Sequence, residues 1–485
     1  MRHGFLLLLA LLACACGSRA SAQQPAPMNV LFIAIDDLRP ELGCYGVKEA
    51  QSPHLDRFAR ESVLFTRHYA QVPTCGASRY ALLTGRLPSR TGVTASNEAL
   101  YRGKTALSAE QLPGAQTMPE LFRRSGYRTV CLGKISHTPD GRVYAYNGNG
   151  DGRPELPHAW DDLPTPFGPW QRGWGAFFAY PGGRHREDGQ GHNDLMEFTA
   201  EKDEELPDGL IAREAVGQLK ALKQAGKPFF LGVGFYKPHL PFVAPRQDWE
   251  AISDAPVAPV SARAKPTSPS WHGSSEFYKY RTSFEKSHPL SESAQRRARR
   301  AYLACVRYVD RQVGKVLDAL RAEGLADNTV VVVWSDHGWH LGEQQIWGKH
   351  SPLERALRSV LLIRAPGVSR AGLRSEALVE TTDLYPTLVD LCRPSFTRTQ
   401  HPLDGASLRP LLTGEKQSLR PAAVSWWKNA VSVRTPTHRL VTHTRPGAEP
   451  HVELFDLTRD PDSIVNLAAE QPELVAELQK LARER

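Results

Sequence analysis

Short apolar runs rich in β-branched and aromatic residues recur along the chain: Val30 to Ile35, Thr129 to Leu132, Phe229 to Phe235 and Val330 to Trp334. Runs this short, bounded by polar residues, predict buried strands, and the longer stretches between them predict helices. That alternation predicts a mostly parallel sheet covered by helices on both faces. A long helix is expected over about Ser291 to Glu323, with a break in it left open. Residues 140–207 are rich in Gly, Pro, Asp and Trp, and residues 254–275 in Pro, Ser and Ala; neither keeps a period, so both read as long connections framing a crevice. Near the end come the strand-like runs Ala430 to Arg434 and Arg439 to His443, then a helix from about Pro472. The expected organisation is one large domain over residues 28–415 and a small antiparallel subdomain over 416–485.

Composition adds location and partners. With 485 residues, 41% of them hydrophobic, the chain can bury a large core. Arg2, the apolar run Phe5 to Ala13 and the small residues ending at Ala22 have the form of a cleaved export signal over residues 1–22. The expected location is therefore secreted or periplasmic. Leu11-Leu12-Ala13-Cys14 also resembles a lipoprotein cleavage site, which leaves a lipid anchor open. No stretch approaches the roughly 20 apolar residues of a membrane span. The formal charge of +8 suits a polyanionic partner. Its basic residues are scattered, however, and the one dense run, Arg296 to Arg300, falls in the expected long helix, so nucleic acid is not an expected partner. Beyond the leader the cysteines are Cys44, Cys75, Cys131, Cys305 and Cys392, with no CxxC spacing; this argues against a zinc site and leaves one or two disulfides open.

Each strand run opens onto polar residues: Asp36-Asp37, Gly133-Lys134-Ile135-Ser136-His137, Tyr236-Lys237-Pro238-His239 and Ser335-Asp336-His337-Gly338. In open α/β sheets, sites form beyond the carboxyl ends of the strands, so these exits are expected to meet in one crevice. Taken singly, each group has a plain structural reading. Adjacent acids cap turns, lysines stay solvated, and a cysteine among small residues is usually a buried apolar side chain. Trp339 is left between core packing and substrate contact. A shared position at strand exits favours a common site for a metal or an anion.

The most informative stretch is Pro73-Thr74-Cys75-Gly76-Ala77-Ser78-Arg79, followed by Leu83-Thr84-Gly85-Arg86. It resembles the signature of the formylglycine-dependent (type I) sulfatase family. Asp36-Asp37, Gly133-Lys134, His239, Asp336-His337 and Lys349 extend the likeness. Ser335 to Glu343, Lys237 to Phe242 and Lys134 to His137 are similar to the iduronate-2-sulfatase branch, and Leu454-Phe455-Asp456-Leu457 resembles the family's C-terminal part. Two positions depart from many members: Ala77 stands where Pro is frequent, and His337 where an amide is frequent.

The resemblance implies an alkaline-phosphatase-like α/β fold and hydrolysis of sulfate esters, most naturally on a sulfated carbohydrate. It implies that a formylglycine-generating enzyme oxidises Cys75 to formylglycine, whose hydrated aldehyde attacks sulfur and forms a covalent sulfate intermediate. Catalytic roles are implied for Cys75, Arg79, Lys134, His137, His239 and Lys349, with His239 as acid and His137 as base. The implied metal set is Asp36, Asp37, Cys75, Asp336 and His337. Three carboxylates with an oxygen from modified Cys75 suit Ca²⁺ better than zinc. A helix is expected from near Ser78, turning its N–H groups toward the anion. Two alternatives remain: a phosphate or phosphonate monoester hydrolase of the same superfamily, and a non-catalytic glycan binder if Cys75 is unmodified.

Overall fold

A computed structural model describes residues 27–145, 150–260, 267–280 and 284–485, so the expected leader and Cys14 lie outside the described residues. The principal sheet contains β1 (Asn29–Ile35), β2 (Val63–Tyr69), β3 (Arg128–Gly133), β4 (Phe229–Phe235), β5 (Thr329–Ser335), β6 (Arg358–Ser359), β7 (Leu361–Arg364) and β8 (Arg374–Glu380). Its strand order is β6-β2-β7-β5-β1-β4-β3, with β8 paired to β2. Strands β3, β4, β1 and β5 are mutually parallel. Only β7, against β5 and β2, and β6, against β2, run antiparallel.

Strand alternation assigns each face of β1 to its own core. Leu31, Ile33 and Ile35 join one buried cluster, and Val30, Phe32 and Ala34 join the other. The first cluster is covered by α4 (Pro207–Ala225) and α5 (Glu292–Ala322), the second by α2 (Cys75–Thr84), α3 (Met118–Arg124) and α6 (Leu384–Cys392), with α1 (Pro53–Glu61) packed on α5. Helix α5 is unbroken. It begins where the Ser291 side chain accepts a hydrogen bond from the Ala294 N–H, an N-cap that satisfies one of the free donors of the first turn.

Near its middle, α5 is fastened by charge to the segment just before α4. Asp203 accepts from Arg311 at 2.6 and 2.8 Å, from Lys315 at 2.7 Å and from Gln312 at 3.1 Å. Burial pushes its carboxyl up, but these donors more than offset that and hold it at about 2. A lowered carboxyl stabilises the fold above its unfolded value of about 3.9 and loses that contribution as pH falls toward 2. Asp203→Asn is therefore expected to cost about 2 kcal/mol at neutral pH. Urea titrations at a series of pH values should show the gap between the proteins closing from pH 4 to pH 2.

At the C-terminal end, β9 (Ala423–Trp427), β10 (Ala430–Arg434), β11 (His438–Arg445) and β12 (Ala448–Asp456) form an antiparallel sheet in that order, backed by α7 (Pro472–Arg483). Buried Glu354 ties this sheet to the rest, accepting from Arg439 at 2.6 Å and Arg434 at 3.1 Å. All five described cysteines are free, and no helix among the described residues is long and apolar enough to cross a membrane.

Candidate active site

Because β3, β4, β1 and β5 are parallel neighbours, their carboxyl ends deliver Lys134, His239, Asp36-Asp37 and Asp336-His337 to one place. Cys75 arrives from the other direction as the first residue of α2, three residues earlier than the expected helix start at Ser78. It thus stands at the positive end of the helix. Gly76 permits this approach: a Cβ there would lie 2.2 Å from the Asn97 carbonyl oxygen, and the Gly76 N–H donates to Asn97 Oδ1 at 2.8 Å.

The acidic centre is bound together by its own hydrogen bonds. Asp37 adopts φ 59°, a left-handed conformation that Asp tolerates better than most residues. Its N–H donates to Asp336 Oδ1 at 3.1 Å, and its carbonyl accepts from the Tyr302 hydroxyl of α5 at 2.8 Å. Asp336 Oδ1 also accepts from the His337 N–H at 3.1 Å. One ligand atom each from Asp37, Cys75, Asp336 and His337 lies within 4.8 Å of the others, and Asp36, Asp37, Cys75 and His239 form an overlapping group. The His337 Nδ1–H donates to the Gly338 carbonyl at 2.9 Å, so in the neutral ring Nε2 carries the lone pair. That nitrogen faces Cys75 Sγ at 3.4 Å and Asp37 Oδ1 at 3.5 Å.

Three cations answer these carboxylates in two ways. Arg79 is fully buried with every nitrogen committed: to Asp36 at 2.9 Å, to Asp336 at 3.0 and 3.1 Å, and to the Lys134 and Ile135 carbonyls. It braces the cage from behind. Lys134 donates to Asp36 at 2.7 Å, and Lys349 to Asp37 at 3.0 and 3.1 Å, while both also line a cavity of about 500 Å³. Cys75, His137, His239 and Glu276 open onto the same cavity, with Trp174, Phe177 and Phe178 on its apolar wall. Trp339 is not among the lining residues; it is 1% exposed in the core, with its ring 5.2 Å from the Lys349 ammonium. Packing settles that position in favour of the core.

The two histidines differ in setting. His239 is held by its Nδ1–H donating to the Leu240 carbonyl at 2.6 Å, and Lys237 fastens the same loop through the carbonyls of His239 and Pro241. Its Nε2 looks at Glu276 Oε1, 3.3 Å away. His137 is buried with Nδ1 unpartnered, while its backbone N–H donates to Glu155 at 3.1 Å. Glu276 and Asn97 escaped sequence reasoning: Asn97 sits in an irregular connection and Glu276 in a helix of only four residues, Ser275–Tyr278, too short for any period to mark it. Glu276 Oε1 also lies 3.4 Å from Lys349 Nζ.

Charge and burial compete throughout. Burial raises Asp36, yet Lys134 and Arg79 hold it well below the usual carboxylate range. Asp37 is pushed up to about 7 by burial, opposed by Lys349 and reinforced by Asp36. Burial and the Asp36 charge push the Cys75 thiol well above its ordinary value, so as a thiol it stays protonated at neutral pH. Burial and Lys349 push His239 down to about 4, and burial and Lys134 push His137 well below its usual range.

These features coincide with what comparison finds. The family model for Sulfatase matches residues 28–393, and that for N-sulphoglucosamine sulphohydrolase, C-terminal, matches 342–485. The chain belongs to the sulfatase family and is a sulfuric ester hydrolase. Within that family it resembles the iduronate-2-sulfatase branch: it is 32% identical to mouse iduronate 2-sulfatase over 429 residues, covering 80% of this chain and 73% of that protein. A sulfatase of Formosa agariphila is 28% identical, with 96% and 88% covered. In structure, a phosphonate monoester hydrolase from Silicibacter pomeroyi superposes with a TM-score of 0.73 at 24% identity, covering 94% of each chain; this likeness concerns the fold.

Proposed function

We propose that this protein is an exported, calcium-dependent sulfatase acting on a sulfated carbohydrate, with formylglycine made from Cys75 as nucleophile and a covalent sulfate intermediate. The observation that carries the reading is the ligand set: Asp37, Cys75, Asp336 and His337 present atoms within 4.8 Å of one another beside the cavity that Lys134 and Lys349 line. With Asp36 from the overlapping group and an oxygen in place of the Cys75 sulfur, the set becomes mostly oxygen, which suits a hard divalent cation. A thiol kept protonated by its surroundings is a poor nucleophile, which favours a modified residue 75. Asp36, Asp37, Asp336, His337 and the modified residue 75 would hold Ca²⁺. When present, cation and aldehyde hydrate supply an activated hydroxyl and a polarised sulfate oxygen.

The chain's own residues do the rest. Lys134 and Lys349 meet the sulfate oxygens, whereas Arg79 keeps Asp36 and Asp336 in position. His239 protonates the leaving alcohol from Nε2, its ring fixed through Nδ1; Glu276 and an incoming sulfate anion both favour the required imidazolium. His137 takes the proton from position 75 as sulfate departs. Residues 28–415 form the catalytic domain and 416–485 the C-terminal subdomain, whose Arg434 and Arg439 donate to Glu354 of the catalytic domain. Export and a formylglycine-generating partner complete the proposal.

Sulfate release from defined sulfated monosaccharides and from nitrophenyl sulfate, in wild type and His239→Ala, tests this reading. The variant should lose about 10²–10⁴ on a sugar sulfate and far less on the aryl ester, whose phenolate leaves without a proton. Equal losses would make His239 a sulfate-positioning group. Failure of the wild type on every sulfated saccharide would sink the carbohydrate assignment.

A further inference from the structure

A second cavity, of about 350 Å³, opens at the far end of α2. Tyr80 and Thr84 of that helix line it together with Arg86, Arg90, Lys104 and His401, and among the described residues no carboxylate lines it. At a rise of about 1.5 Å per residue, Thr84 lies about 14 Å along the helix from Cys75. The basic groups come from separate segments: Arg86 follows the helix, Arg90 is in the next short turn, Lys104 in a loop, and His401 about three hundred residues further on. The Tyr80 hydroxyl, donating to the Thr105 carbonyl at 3.3 Å, ties the Lys104 loop to the helix.

The cations of this cavity converge without counterions, unlike several arginines that line other cavities. In the cavity lined by Arg102 and Arg153, both are paired, with Glu98 at 2.7 Å and with Asp151. Arg123 and Arg128, which line another, are paired with Asp161 at 2.7 Å and Asp162 at 2.5 Å. Among the described residues, no such ion pair is made by Arg86, Arg90 or Lys104, and Arg86 Nε is buried with no hydrogen-bond partner. The helix end supplies only about half a negative charge, too little to neutralise three cations. Converging, unneutralised charge at a concave surface draws in anions.

We propose that this cavity is a second anion site, separate from the site at Cys75, that binds a sulfate group of a sulfated saccharide chain. The choice of saccharide rests on the substrate reading above; the cationic site itself does not. Binding there keeps a polymeric substrate at the enzyme surface and raises its effective concentration at the reactive site.

The test is binding of fluorescein-labelled dextran sulfate, followed by anisotropy, with nitrophenyl sulfate turnover measured in parallel. Arg90→Glu/Lys104→Glu, at two exposed positions, should weaken binding about tenfold or more and leave aryl sulfate turnover unchanged. Arg213→Glu/Lys220→Glu, an equal charge change on the exposed face of α4, should retain wild-type affinity. If the first variant unfolds, Arg90→Gln/Lys104→Gln should still weaken binding about threefold. Unchanged affinity in the cavity variants, or equal losses in the α4 control, would overturn the site. A single-stranded DNA of matched charge binding as tightly through Arg90 and Lys104 would overturn the saccharide assignment. Loss of sugar sulfatase activity from the proposed function, with this binding intact, would instead count against the active-site reading alone.

Discussion

Asp336→Ala is expected to abolish turnover and metal retention together while leaving the protein folded. Asp336 is fully buried and does three things at once: Oδ1 accepts from the Asp37 and His337 N–H groups, and Oδ2 accepts from Arg79. Its loss removes a proposed ligand and frees the backbone that fixes Asp37 in its left-handed conformation. It also leaves Arg79 with Asp36 as its one remaining carboxylate, at 2.9 Å. Breaking one arm of a buried ion pair costs about 3–5 kcal/mol, partly offset here because one of several mutually repelling carboxylates is gone. Activity should fall about 10³-fold or more, the scale reached when a preorganised electrostatic stabiliser is lost. Exhaustive chelation of the wild type should reproduce the loss, and added Ca²⁺ should reverse it in the wild type but not in the variant. Full activity of chelated, metal-free enzyme by elemental analysis would contradict the calcium proposal.

How far this centre could be read in advance depended on the kind of residue. The strands β1, β3, β4 and β5 are continuous apolar runs because both faces of the sheet are covered, and such runs are visible without a structure. Their exits therefore placed Asp36, Lys134, His239 and Asp336 at one edge. The short strands β6 and β7 were not legible, since two- and four-residue segments are defined by pairing with β2 and β5 rather than by pattern. Nor was the division of labour among the cations. Arg79, Lys134 and Lys349 all carried implied catalytic roles, but Arg79 has no nitrogen left to offer a sulfate. Glu276 and Phe177 enter the cavity from long connections whose course depends on tertiary packing. The left-handed Asp37 likewise leaves no mark in a dipeptide of two aspartates.

In Cys75→Ser, sulfate should be captured and then retained. An aldehyde hydrate has two hydroxyls, one to attack sulfur and one whose deprotonation expels sulfate; a serine side chain has only the first. The surroundings that favour attack are unchanged by the substitution. Residue 75 remains at the start of α2, with Lys349 Nζ 3.5 Å from its side-chain atom in the wild type and His337 Nε2 3.4 Å away. The S–O bond to the leaving alcohol can therefore break as the new ester forms, with His239 returning a proton to the alcohol. His137, however, finds no second hydroxyl to deprotonate, so the ester persists. Incubation with substrate is expected to yield slow accumulation of one sulfate per enzyme, visible by intact mass and mapped to position 75 by peptide mass spectrometry, with no multiple turnover. Active wild type should carry the formylglycine mass at that position. Normal turnover by the serine variant, or full activity of wild type with an unmodified thiol, would rule the mechanism out.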